Sequence, residues 1–265
     1  MNFSVLMSVY IKEQPRYLVE CLESLAAQTL LAQEIILVED GKITDELNAV
    51  IDQYCHTLPI KRVKLEKNQG LAVALNEGLR HCTNELILRM DTDDVALPIR
   101  FERQIQFMQQ NPTISVASAW IEERNSMQDE NGFLKTLPEK HIDILRFAKR
   151  RNPVSHPAVI FRKSDVLTSG GYPVIFPEDY ALWSFMLMQG YLFANIPEVL
   201  LYMRTGEAFI DRRGIDFFKG EIKLLKYQRS IGFLNTIEYL SNLILRAIIR
   251  TPPRSIRKFL YKTLR

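Results

Sequence analysis

Over its first 110 residues the chain alternates short apolar runs with stretches of helical hydrophobic spacing, a rhythm that few folds can satisfy. Residues 3–10 are strand-like, and Pro15 then opens a stretch whose Leu18, Leu22 and Leu25 share one helix face. Strands are expected at 34–38, 60–65 and 85–90, and helices at 44–55 and after Asn68-Gln69-Gly70, where Leu71, Leu75 and Leu79 recur. Pro98 is expected in the first turn of a further helix, where its missing N–H does no harm. Strand and helix in this order predict an α/β fold: a mostly parallel central sheet flanked by helices on both faces. Such sheets bind their ligands beyond the carboxyl ends of the strands. Glu39-Asp40, Asn68 and Asp91-Thr92-Asp93-Asp94 end or follow three of the runs, so they are expected to meet in one crevice.

Beyond residue 113 the pattern loosens. Strands are expected at 114–120, 157–161, 192–194 and 199–203, a polar hairpin at 122–137 turning at Asn131-Gly132, and a helix from Glu178 to Gly190. At 265 residues, with 47% hydrophobic and 25% charged, the chain can bury a large core. Cys21, Cys55 and Cys82 have neither an even count nor metal-ligand spacing, which points to a reducing, cytoplasmic setting without disulfides or zinc. The opening apolar run lacks a basic leader and reads as a buried strand. No stretch reaches the roughly 20 apolar residues of a transmembrane helix.

The net charge of +3 hides an asymmetry: from Arg212 onward there are thirteen Lys/Arg against three Asp/Glu. Residues 212–265 are expected to form two or three helices broken at Thr251-Pro252-Pro253, with Ile237, Leu240, Leu243, Ile244 and Ile248 among basic positions. Arg246, Arg250, Arg254, Arg257, Lys258, Lys262 and Arg265 make the end densely basic. Two readings stay open: an amphipathic tail on an anionic membrane surface, or helices packed on the main domain with a solvated basic face. Nothing resembles a nucleic-acid-binding motif.

Three carboxylates in four residues at 91–94 repel one another unless a cation sits among them. Hard oxygen ligands suit Mg²⁺ or Mn²⁺, ions that also take phosphate oxygens. The alternative is an acidic turn capping a helix. Glu178-Asp179, after Gly170-Gly171-Tyr172, is either a pair at a helix N-terminus that suits the dipole or a site for a general base. Asn68-Gln69-Gly70 is either a plain turn or a set of N–H groups aimed at an anion. Neither a Gly-x-Gly-x-x-Gly loop nor a Gly-Lys-Ser/Thr loop is present, which argues against dehydrogenases and P-loop enzymes.

The segments Phe3-Ser-Val-Leu-Met-Ser-Val-Tyr10, Val38-Glu-Asp-Gly41, Asn68-Gln-Gly-Leu-Ala-Val-Ala-Leu-Asn76, Asp91-Thr-Asp-Asp94 and Glu178-Asp-Tyr-Ala-Leu-Trp183 together resemble family 2 glycosyltransferases of the GT-A fold. The resemblance runs over residues 3–204, nearest to bacterial enzymes of exopolysaccharide, capsule and O-antigen assembly. It implies a catalytic domain over 1–211, with a nucleotide-sugar half (1–110) and an acceptor half (111–211), followed by the tail at 212–265. By the same resemblance Ser8, Tyr10, Asp40, Asn68 and Asp91 line the nucleotide-sugar pocket, Asp93 and Asp91 hold the metal with Asp94 as a further ligand, and Asp179 is the catalytic base. Position 39 is Glu where Asp is frequent, and position 181 is Ala where a further Asp is frequent.

Glu178, His156, Trp183, Arg204, Arg212 and Arg213 are further candidates for acceptor or diphosphate contacts. His156 and Trp183 are equally readable as structural, and the arginines as a surface cluster. The implied reaction is inverting transfer of a hexose or N-acetylhexosamine from a nucleotide donor, UDP by default, to a sugar hydroxyl. Its acceptor is expected to be carried on polyprenyl diphosphate at the inner face of the membrane. A sugar-nucleotide pyrophosphorylase would need a Gly-rich basic loop where Tyr10-Ile-Lys-Glu-Gln-Pro15 stands. A catalytically silent scaffold would not need Asp91, Asp93 and Asp179.

Overall fold

A computed structural model describes residues 2–129, 131–205 and 215–252. β1 (Phe3–Val9), β2 (Glu34–Glu39), β3 (Ile60–Lys64) and β4 (Leu86–Arg89) lie parallel in the order β3-β2-β1-β4, with α1 (Pro15–Ala26), α2 (Asp45–Tyr54) and α3 (Leu71–His81) between them in the chain. Alternation explains why β1 and β2 read as continuous apolar runs. Val5, Met7, Ile35 and Leu37 join the core cluster of Leu18, Leu22, Leu25, Leu47 and Ile51 from α1 and α2. Leu6, Ile36 and Val38 join Leu75 and Leu79 of α3 in a second cluster.

The second half is mixed. After β5 (Val95–Ala96) and α4 (Arg100–Gln110) come β6 (Ile114–Arg124), β7 (Phe133–Lys135), α5 (His141–Ala148), β8 (Ile160–Arg162), α6 (Lys163–Thr168), α7 (Glu178–Met188) and β9 (Leu192–Arg204). The nine strands among the described residues form one sheet in the order β3-β2-β1-β4-β8-β6-β9-β5, with β7 paired to β6. β8 runs antiparallel to β4 and β6, whereas β6 and β9 are parallel. The parallel expectation therefore holds for the first four strands, and the rest of the sheet mixes both senses.

Several local expectations change. Pro98 lies outside its helix: α4 starts at Arg100 with Ile99 as N-cap, and the Pro98 carbonyl instead accepts from the Thr29 N–H at 2.9 Å. The strand expected at 157–161 begins later, because Pro157 sits in a 3-10 turn over His156–Ala158 that precedes β8. The two strands expected at 192–194 and 199–203 are one. Ala119 pairs with Ile196 and Trp120 with Val199, so Pro197, which has no N–H to offer, and Glu198 form a bulge. β5, α5 and α6 are too short or too polar to have announced themselves.

The tail packs on the domain. α8 (Ile215–Ser230) and α9 (Thr236–Arg250) follow one another, and Leu225, Phe233 and Leu234 are fully buried in the second core cluster with Leu182 and Trp183 of α7. Arg246 and Arg250, counted in the sequence with the basic end, turn inward: both pair with Glu221 of α8, Arg250 through two bonds of 2.9 and 3.1 Å. Residues 253–265, with the remaining basic positions of the end, lie outside the described residues. No helix among the described residues is long and apolar enough to cross a membrane.

Candidate active site

Adjacent parallel strands deliver the expected polar residues to one edge. Ser8 and Tyr10 lie at the end of β1, Asp40 follows β2, Asn68 precedes α3, and the acidic cluster follows β4. The Asp40 N–H bonds the Val9 carbonyl at 2.8 Å and the Met90 N–H the Leu6 carbonyl at 3.1 Å, so the three strand ends are held side by side. Asp40 is buried, and its two carboxylate oxygens accept the N–H groups of Gln69 and Gly70 at 2.7 and 3.0 Å. The Asn68 side chain donates to the Asp40 carbonyl at 3.2 Å. This tight approach explains Gly41. Its φ is +83°, and a Cβ there would lie 2.5 Å from the Asn68 nitrogen. Asp40 thus orders the loop that starts α3, while Tyr10 stays 39% exposed beside it.

Asp91, Asp93 and Asp94 bring carboxylate oxygens within 4.8 Å of one another. Burial, then Asp91 and Glu13, push the Asp93 carboxyl up to about 7. Asp94 is pushed well above the carboxylate range by burial and by its two neighbours, and its Oδ2 is buried with no partner. A concentration of negative charge with an unsatisfied buried oxygen is the donor set that a hard divalent cation satisfies, so the residues fit Mg²⁺ or Mn²⁺.

Arg204 is tied into the acidic cluster. Its N–H bonds Asp94 Oδ1 at 2.8 Å, its Nε bonds the Asp93 carbonyl at 3.1 Å, and its guanidinium pairs with Glu20 over the ring of Tyr17. It braces the acidic loop. Arg212 and Arg213 lie outside the described residues.

A second cluster forms at the start of α7, where Pro177 is the N-cap. His156, Glu178 and Asp179 bring ligand atoms within 4.8 Å of one another. Burial, then Asp179, push Glu178 up to about 7, and Asp91 contributes to the same shift. Burial raises Asp179 as well, against a bond of 2.5 Å from Asn152 Nδ2 to Asp179 Oδ2 that favours the ionised form. His156 is held neutral, well below its ordinary value, by burial and by Arg89. Its Nε2 lies 3.2 Å from the Tyr172 hydroxyl. Trp183 is fully buried between His156, Phe161, Tyr172 and Phe193, so it is core and cannot stack on a sugar. Ala181, where a further Asp is frequent, is fully buried with Tyr180 against Leu224 of α8. An Asp there would be an unpaired buried charge.

Three residues passed over in the sequence tie the clusters together. Arg89, at the end of β4, is 2% exposed, pairs with Asp91, and leaves Nε and Nη1 buried without partners. Its charge acts on Asp93, Asp94, Glu178 and Asp179 alike. An Arg inside an otherwise apolar strand, two positions before an acidic cluster, was the signal available for it. Asn152 had no signal. Asn76 exchanges two bonds of 2.8 Å with the backbone of Tyr172, and Gly171 must lack a Cβ because one would lie 2.5 Å from Asn76 Oδ1.

A mixed sheet whose first four strands are parallel, with a metal-fitting acidic cluster at their carboxyl ends and a second buried carboxylate pair nearby, is the arrangement of the GT-A class. The chain belongs to glycosyl transferase family 2, whose model matches residues 4–166. It is 41% identical over 265 residues to the amylovoran biosynthesis glycosyltransferase AmsE of Erwinia amylovora, covering 98% of each chain. It is 39% identical over 263 residues to the UDP-Gal:alpha-D-GlcNAc-diphosphoundecaprenol beta-1,3-galactosyltransferase of Escherichia coli, covering 98% of this chain and 95% of the other. Among solved structures, residues 1–349 of S. aureus TarS in complex with UDP-GlcNAc share the fold. Its TM-score is 0.70 at 19% identity, with 95% of this chain and 74% of that one covered.

Proposed function

We propose that the protein is an inverting glycosyltransferase of surface polysaccharide assembly, moving a hexose or N-acetylhexosamine from a UDP-sugar to a sugar hydroxyl on a polyprenyl-diphosphate-linked acceptor. The observation that supports this reading is the pairing of two buried acidic clusters, 91–94 and 178–179, with the buried Arg89 acting on both. The E. coli relative named for a lipid-linked GlcNAc acceptor, alike over nearly its whole length, supports the substrate class.

In this reading Ser8, Tyr10, Asp40 and Asn68 line the pocket of the nucleotide base and ribose. Asp91, Asp93 and Asp94 would hold Mn²⁺ or Mg²⁺, which when bound supplies positive charge against the diphosphate. Asp179 is the base. It takes the proton of the acceptor hydroxyl while that oxygen forms its bond to C1 of the sugar. The bond from C1 to the diphosphate oxygen breaks on the opposite face, and the nucleoside diphosphate leaves. One displacement inverts the anomeric configuration, as in inverting hydrolases. Raised above a free carboxyl by burial, Asp179 is a better proton acceptor than a solvated aspartate. Glu178 and the neutral His156 border the acceptor hydroxyl.

The test is to offer a panel of UDP-sugars with a short-chain lipid-diphosphate-linked GlcNAc and to read the product's anomeric configuration by NMR. Transfer with inversion, lost in Asp179→Asn, is the expected result. Transfer with retention, or full activity in that variant, would overturn the mechanism.

A further inference from the structure

α9 exposes more aliphatic surface than it buries. Its outward face carries Ile237 (79% exposed), Leu240, Ile244 (61%), Leu245 and Ile248 (58%), spaced as one continuous stripe of an α-helix. The face turned to the domain sets Tyr239 and Leu243 against the second core cluster and adds a set of polar bonds. Asn242 Nδ2 donates to the Lys149 carbonyl at 2.8 Å, Lys149 pairs with Glu238 at 3.8 Å, and Arg246 and Arg250 pair with Glu221. A capping box of Asn235 and Glu238 fixes the helix start. A soluble helix packs with its aliphatic stripe inward. Here the ion pairs spend the charges of α9 on the domain and leave the aliphatic stripe facing out.

We propose that this stripe is a docking surface for an anionic phospholipid bilayer, with α9 lying in the plane of the interface. Charge selects the occupant. Arg150 and Arg151, exposed at the end of α5, flank the Lys149 contact. Directly after α9, residues 253–265 carry five Lys/Arg and no Asp/Glu in sequence. A second copy would bring the same excess of positive charge, whereas an anionic headgroup layer accepts both an aliphatic face and a basic sequence.

The dock also sets an orientation, and this part rests on the acceptor being lipid-linked. The segment that contacts α9 at Lys149 reaches Asn152, the clamp on Asp179, three residues later, a span of at most about 11 Å. Tyr180, next to the base, donates to the Ala148 carbonyl at 2.7 Å and lies under the Arg246 guanidinium. Membrane contact and proton acceptor therefore stand on one braced unit, so docking through the stripe would hold Asp179 at a fixed distance from the headgroup layer.

The test is co-sedimentation of the full chain with vesicles of phosphatidylcholine alone or with phosphatidylglycerol, for the native protein and Ile244→Ser/Ile248→Ser. Both changes are on exposed positions, and circular dichroism and UDP binding check that the fold is kept. The expected result is binding to the anionic vesicles that is at least tenfold weaker in the variant, with unchanged turnover of a detergent-soluble acceptor and reduced turnover of one embedded in vesicles. Equal vesicle binding by the variant overturns the dock. So does a native protein that ignores vesicles and dimerises through the stripe in light scattering. Stripe-dependent vesicle binding without transfer to any lipid-linked acceptor supports the dock and overturns the acceptor reading and the orientation that rests on it.

Discussion

Replacing Asn152 by Ala removes the bond of 2.5 Å that its amide gives to Asp179 Oδ2, and with it one stabiliser of the ionised base. Burial disfavours that charge, and the Tyr180 N–H and the charges of Arg89 and Lys135 remain as weaker stabilisers when the amide is gone. A hydrogen bond to a charged group contributes about 1.5–3 kcal/mol, and each 1.4 kcal/mol is a factor of ten in an equilibrium. At a pH below the acid limb of the native enzyme, ionised Asp179 should therefore be roughly ten- to a hundredfold scarcer in Asn152→Ala. The assay is kcat/KM against pH with a soluble acceptor. The limb should move toward alkaline pH while the plateau above it stays within a few fold of native, because there Asp179 is ionised in both proteins. A purely structural role would instead lower the whole profile without moving the limb. A limb that stays in place would refute the claim that Asn152 works by holding the charge of Asp179.

Two further outcomes follow from the site. Glu178 is raised from 4.5 to about 7 in the fold, so the folded state holds its proton more tightly than the unfolded chain. Its cost to stability therefore grows as pH rises from 4.5 toward 7 and is constant above, and Glu178→Gln should stabilise by about 1–3 kcal/mol at pH 8 and by nothing at pH 4 in denaturant unfolding. The Arg204 side chain braces the carbonyl of Asp93 and pairs with Glu20, while its backbone N–H to Asp94 survives in alanine, so Arg204→Ala should weaken Mn²⁺ binding about 10-fold while UDP still binds at saturating metal, as calorimetry would show.

The first four strands and three helices were legible because each buried strand is a short apolar run and each covering helix carries leucines at helical spacing. Pro98 misled through a correct local preference: the same residue that suits a first helical turn also suits the approach to one. β9 was read as two strands because Pro197 interrupts it, and only the pairing with β6 shows a bulge rather than an end. The acidic positions were legible as chemistry, since 91–94 and 178–179 sit where strand and helix termini put them. Asn152 and Asn76 were not, because each acts through a partner 27 or 96 residues away. The basic tail shows the same limit. Its composition left Arg246 and Arg250 open between a membrane-facing and a solvated basic face, and Glu221, distant in sequence by 25 and 29 positions, claims both. Trp183, readable from the sequence as core or as a contact residue, is core, because four aromatic neighbours enclose it.

The central claim, a metal-assisted nucleotide site built on the 91–94 cluster, is tested most directly by titrating the protein with UDP in a calorimeter, with and without Mn²⁺, alongside Asp93→Ala. The account predicts UDP binding that Mn²⁺ strengthens in the native protein and no longer strengthens in the variant. UDP binding that ignores the metal, or the same metal response in Asp93→Ala, would contradict it.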